Sequence, residues 1–260
     1  MVYYGKSDMG MRRNVNEDSF SCVPIWGKRG TLLVVCDGMG GHKAGEVASA
    51  KAVEAFCDKI VSSPCLSDNP FDRTFEMKKI LSLAINDANT RIQRLSSSFE
   101  ELEGMGTTLV AGIIYDNILY VTNIGDSRLY LISGDIVQQV SHDHSFVQSL
   151  VDQRKITKEE SKTYPGKNVI TKALGIFPQP EADLFKIDLA SYGKGYILLC
   201  TDGLTNYVGE NDLRKVFSKA KNIDPGEDGK QDVVYAVDTL IDMANSGGGA
   251  DNITAIVARF

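Results

Sequence analysis

At 260 residues, with 43% hydrophobic and 24% charged residues, the chain is large enough for one big globular domain or two small ones. A formal net charge of -6 gives no electrostatic reason to expect nucleic acid or an anionic membrane as partner. No apolar run approaches the roughly 18–20 residues that span a bilayer, and "MVYYGKSDMGMRRN" lacks the apolar centre of a signal peptide. The 5 cysteines (Cys22, Cys36, Cys57, Cys65, Cys200) show no zinc-ligand spacing, so a reduced, cytoplasmic chain is expected.

In chain order, "TLLVVC" is the first buried-strand pattern, and a helical period follows in "AGEVASAKAVEAFCDKIV" and "FEMKKILSLAINDANTRIQRLSSS". The runs "TTLVAGIIY" and "ILYVTNI" are separated only by Asp116-Asn117, and Ser133-Gly134-Asp135 closes "RLYLIS". Such short links join antiparallel neighbours, because a parallel crossover needs a dozen residues or more. From Ser141 to Pro180 the sequence is polar, mixed and poor in apolar runs, and reads as a flap rather than core. "YILLC" returns to strand pattern, "NDLRKVFSKA" and "KQDVVYAVDTLIDMANSG" to helix, and "NITAIVARF" to strand. With no linker or internal repeat, residues 1–260 are expected to form one layered α+β domain of helix-covered sheets.

Four aspartates occupy equivalent places. Asp37 follows "LLVVC", Asp126 follows "LYVTNIG", Asp202 follows "YILLCT" and Asp251 precedes "NITAIVARF". Each could be a turn residue bonding its own backbone. If their strands are neighbours, however, the carboxylates converge and repel one another unless cations intervene. Oxygen-only ligands point to a hard ion such as magnesium or manganese, and a glycine beside an aspartate lets a backbone carbonyl approach it. A phosphate cradle fits "GMGGHKAG" less well, because that stretch has neither Gly-Lys-Ser/Thr nor the G-x-G-x-x-G spacing. In "SDMGMRRNVNEDSF", Arg13 offers a planar fork for phosphate oxygens and Asp18 another hard-ion ligand. The alternative there is a surface arginine ahead of a capped helix starting at Asn16.

Taken together, "SDMGMRRNVNEDSF", "VVCDGMGGHKAGEVAS", "GMGTTLV", "NIGDSRLYLI", "SHDHSFVQSLV", "NVITKALG", "LLCTDGLTNYV" and "ADNITAIV" run from Ser7 to Val257. In that order they resemble the metal-dependent protein serine/threonine phosphatases, or protein phosphatase 2C family, in its compact bacterial form. The resemblance implies a four-layer α-β-β-α sandwich, two antiparallel β-sheets flanked by helices. It implies that Asp37 bridges two manganese or magnesium ions, with Asp202 and Asp251 at one and Asp18 and the Gly38 carbonyl at the other. Asp126 and Asp202 would serve a third, weaker site, and Arg13 would hold the substrate phosphate. The implied reaction is single-step hydrolysis of phosphoserine and phosphothreonine in proteins by a metal-activated water. A stand-alone monomer opposing a cytoplasmic serine/threonine kinase is the implied setting. Many eukaryotic relatives carry histidine after the Asp-Gly pair, where this chain has Met39, so the candidate proton donors become His42, His144 or a metal-bound water. In the flap, Arg154 stands where bacterial relatives commonly have glycine, and Tyr164 where histidine is common.

Overall fold

The computed structural model describes residues 1–40, 44–224, 226 and 228–260. The chain opens with three strands, β1 (Val2–Asp8), β2 (Asp18–Ile25) and β3 (Gly30–Met39), followed by helices α1 (Ala44–Ser62) and α2 (Pro70–Ser98). The strands β4 (Gly106–Thr107), β5 (Leu109–Tyr115), β6 (Ile118–Ile124), β7 (Arg128–Ser133) and β8 (Ile136–Gln139) come next. Short helices α3 (Phe146–Asp152) and α4 (Lys158–Ser161) lie in the 141–180 segment, ahead of β9 (Asp183–Asp188) and β10 (Tyr196–Cys200). The chain ends with α5 (Asp202–Thr205), α6 (Glu210–Ala220), α7 (Gln231–Ser246) and β11 (Ile253–Arg259).

The strands form two antiparallel sheets, one in the order β1-β11-β10-β7-β8 and the other β2-β3-β5-β6-β9, with β4 paired to β3. Three apolar layers follow from the two-residue period of a strand. In β3, Leu32, Val34 and Cys36 face α1 and α2, whereas Leu33 and Val35 face the opposite sheet. In β10, Leu198 and Cys200 pack with α6 and α7, and Ile197 and Leu199 fill the space between the sheets. Both faces of these strands are covered, which is why "LLVVC" and "YILLC" are continuous apolar runs rather than alternating ones. The result is the expected α-β-β-α sandwich.

Local signals agree with the elements. Asp116 and Asn117 both adopt positive φ, +52° and +60°, as a two-residue type I′ hairpin turn requires. The α2 helix starts five residues before its apolar period does, because Asn69 caps it, accepting from the Phe71 N–H, and Pro70 suits the first turn. Among the described residues, no helix is long and apolar enough to cross a membrane.

Candidate metal centre

The ladder registers bring the strand-end carboxylates to one edge of the sandwich. Asp18 opens β2 directly opposite Asp37 of β3, so both side chains leave the same face. Asp202 follows β10 and Asp251 precedes β11, and these two strands pair with Cys200 beside Ala255. Asp126 lies just before β7, whose Arg128 pairs with Cys200 and so places that turn next to Asp202. The sheets meet through β3 against β10 and β11, which closes the group. At Arg13, residues before β2 form a loop rather than a helix beginning at Asn16.

The electrostatics follow from burial and from like charges held together. Burial, then Asp18, Asp202, Asp126 and Asp251, push the Asp37 carboxyl well above the usual range. Burial and Asp202 raise Asp126 to about 8. Burial raises Asp18 to about 7, against the pull of hydrogen bonds from Thr254 and Thr201. Burial and Asp251 also raise Asp202. Arg128, near Asp126 and Asp202, and Arg13, on Asp251, offset only part of the negative charge gathered there.

The individual carboxylates are nonetheless tied down. Asp18 Oδ2 accepts from the Thr201 and Thr254 hydroxyls at 3.0 and 2.7 Å, and Asp202 Oδ2 from Asn206 at 3.2 Å. Arg13 Nη2 lies 2.9 and 3.0 Å from the two oxygens of Asp251, and Nη1 lies 3.6 Å from Glu17 Oε2. The Asp37 backbone is gripped by two threonines: its N–H donates to Thr108 Oγ1, and its carbonyl accepts from Thr107 Oγ1. As the side chains stand, no three His, Cys, Asp or Glu residues among the described residues are grouped as a ligand set.

Two features nevertheless fit a hard cation. Asp18 Oδ1 and Glu17 Oε1 are buried with no hydrogen-bond partner, which costs free energy unless something positive satisfies them. At Gly38, any Cβ would collide with the Gly45 carbonyl and lie 2.6 Å from that of Glu17, so only glycine permits this approach of backbone to the carboxylate edge. The donor set is all oxygen, as manganese and magnesium prefer.

Glu17 and Asn252 were not legible as site residues. Asn252 Nδ2 donates to the carbonyls of Met9 and Val15, and its Oδ1 accepts from the Glu17 N–H, pinning the Arg13 loop beside Asp251. Their only sequence signal is adjacency, Glu17 to Asp18 and Asn252 to Asp251. Of the candidate proton donors, His42 lies outside the described residues. His144 is buried with both ring nitrogens engaged: Nδ1 accepts from the Gly125 N–H, and Nε2 faces Asp183.

Comparison with known proteins gives the family. Residues 11–233 match the family described as protein phosphatase 2C. The serine/threonine phosphatase stp of Listeria innocua is 34% identical over 254 residues, covering 98% of this chain and 94% of that protein. The protein phosphatase PhpP of Streptococcus pneumoniae is 33% identical, over 95% of this chain and 93% of its own. The crystal structure of serine/threonine phosphatase Stp1 from Staphylococcus aureus superposes with a TM-score of 0.87 at 33% identity, covering 100% of this chain and 95% of that one. With the sandwich, the glycine-flanked aspartates and these likenesses in agreement, the chain belongs to the protein phosphatase 2C family of metal-dependent serine/threonine phosphatases.

Proposed function

We propose that the carboxylate edge holds two manganese or magnesium ions, with Asp37 between them. Asp202 and Asp251 complete one site, Asp18 and the Gly38 carbonyl the other, and Asp126 with Asp202 forms a third, weaker one. The observation that carries this reading is the convergence of Asp18, Asp37, Asp126, Asp202 and Asp251 at one edge of the sandwich, with Asp18 Oδ1 buried and without a hydrogen-bond partner. Carboxyls so placed bind protons or cations in preference to standing charged together. Bound ions would supply Lewis acidity and a water activated for attack near neutral pH.

The rest falls to the chain itself. Arg13, its side chain 45% exposed, lies beside the carboxylate edge with Nη2 on Asp251 and Nη1 near Glu17; with cations on those carboxylates its fork would turn to phosphate oxygens. Asn252 keeps the backbone of that loop beside the site, which would hold Arg13 within reach of charge developing on the equatorial oxygens. Thr107 and Thr108 hold the Asp37 peptide rigid, and Thr201 and Thr254 orient Asp18. The 141–180 segment is read as a flap of a single catalytic domain that meets the substrate. Substrates are phosphoserine and phosphothreonine in proteins, opposing a cytoplasmic serine/threonine kinase, with the enzyme acting as a monomer.

Phosphate release from a phosphothreonine peptide and from para-nitrophenyl phosphate, with manganese or with chelator, tests this reading. Asp37→Asn is expected to lower turnover at least about a hundredfold, since it alters a residue shared by both core sites. Wild-type turnover in chelator, or in Asp37→Asn, would overturn the proposed metal centre. Turnover of the small ester without the peptide would overturn the phosphoprotein assignment.

A further inference from the structure

The buried histidine of the "SHDHS" stretch has work to do that proton donation does not describe. Gly125 and Asp126 form a tight turn between β6 and β7, in which Gly125 has φ +101° and a Cβ would lie 2.6 Å from Thr108. Both polar groups of the Gly125 backbone are held by one residue. The Gly125 N–H donates to His144 Nδ1 at 3.1 Å, and the Gly125 carbonyl accepts from the His144 N–H at 2.9 Å. Asn123 Nδ2 reinforces the turn, donating to the Gly125 carbonyl at 3.2 Å and to the His142 carbonyl at 2.7 Å.

On its other side His144 belongs to the 141–180 segment. Its carbonyl accepts from the Thr171 N–H at 2.7 Å, and the neighbouring Ser145 bridges Ile170. The ring is anchored at its far end by Asp183 of β9, with Oδ2 at 3.2 Å from Nε2. Since Nδ1 accepts a hydrogen bond, the neutral ring carries its proton on Nε2 and aims it at that carboxylate. Burial holds the imidazole below its ordinary pKa, in keeping with a neutral ring.

We propose that His144 is a positioning residue for Asp126, clamping the Gly125–Asp126 turn through Nδ1 and joining it to both ends of the flap segment. Removing the clamp frees a glycine-containing turn to take other conformations, and the carboxylate it carries moves with it. This inference rests on the reading of Asp126 as a site carboxylate, but the clamp itself can be tested apart from that reading.

Two variants of the full chain separate the two ring nitrogens. His144→Asn keeps an acceptor near the place of Nδ1 and gives up the reach to Asp183. His144→Gln reaches towards Asp183 and offers nothing to the Gly125 N–H. Both lose the ring, so a general packing loss affects them alike. In metal-free protein, amide exchange at Gly125 is expected to quicken about tenfold or more in His144→Gln and to stay slow in His144→Asn. With manganese, His144→Gln is expected to lose roughly tenfold in kcat at unchanged KM for a phosphothreonine peptide, and His144→Asn to recover most of it.

Wild-type exchange in His144→Gln, or equal acceleration in the two variants, overturns the clamp. Accelerated exchange with wild-type kcat in His144→Gln overturns the positioning role, provided Asp126→Ala is itself impaired. If Asp126→Ala turns over at the wild-type rate, the assignment of Asp126 fails instead, and the exchange result still decides whether His144 holds the turn.

Discussion

Arg154 shows how a single residue can sit against its own backbone preference. It follows α3 with φ +57°, its N–H bonded to the Val151 carbonyl and the next N–H, from Lys155, to that of Leu150. This paired closure is a Schellman motif, which places its left-handed residue where glycine is favoured. A left-handed conformation costs a non-glycine residue about 1–2 kcal/mol, and the greater unfolded freedom of glycine returns about 0.5–1 kcal/mol of that. Arg154→Gly is therefore expected to stabilise the protein by roughly 0.5–1 kcal/mol, seen as a higher urea midpoint at unchanged slope. Arg154→Val should lower it; a lower midpoint for the glycine variant would contradict the account. The same scale explains what the sequence showed of the site. Asp37, Asp126 and Asp202 stood out because each follows an apolar run, and Asp251 because it precedes one. Glu17 did not, because an acid beside Asp18 in a polar stretch looks like solvated surface, and its orphaned Oε1 exists only once Gly45 packs over it.

Elements were legible in proportion to how evenly they are buried. β3, β5, β10 and β11 are covered on both faces and announce themselves as apolar runs. β1, "VYYGKSD", is half-buried along its whole length, and β9, "DLFKID", lies at a sheet edge with Leu184 outward and Asp183 on the less exposed face, so neither shows a clean apolar-in, polar-out pattern. The 141–180 segment read correctly as polar, but α3 and α4 were hidden there because helices of 7 and 4 residues hold too few turns to show a period. The start of α2 was hidden for another reason: its first turn is defined by the Asn69 cap and Pro70, not by apolar spacing. Asn69→Ala leaves one of the first N–H groups of the helix without that partner and is expected to cost about 1 kcal/mol. Asn69→Asp or Asn69→Ser should restore most of it. Thermal unfolding of the three variants measures this, and equal midpoints for alanine and serine would remove the cap from the explanation.

At the scale of the whole molecule, the sandwich concentrates repulsion at one edge, and stability should carry that signature. The folded protein holds Asp18 at about 7 and Asp126 at about 8, with Asp37 and Asp202 also raised. In the unfolded chain all four ionise near 4. Between these limits the folded state binds more protons than the unfolded one, so the stability of metal-free protein falls as pH rises from about 4.5 to 8. His144 opposes this. Its lowered pKa means that the unfolded chain takes up a proton first, so its contribution is present above the ordinary histidine range and lost as pH falls through it. One such group does not outweigh four carboxyls. The acids Glu160 and Asp68, lowered by the Thr157 backbone N–H and by Arg29 respectively, act in the opposite sense near the acid end of this range, but both are fully exposed and screened by solvent. Cations displace the protons, so manganese should raise the thermal midpoint, by more at pH 8 than at pH 5, with proton release on binding. Midpoints in chelator and in manganese across this range measure both effects. A metal-free midpoint that climbs from pH 5 to 8, or a manganese increment that shrinks, would mean that repulsion among these carboxylates is not what the fold stores at this edge.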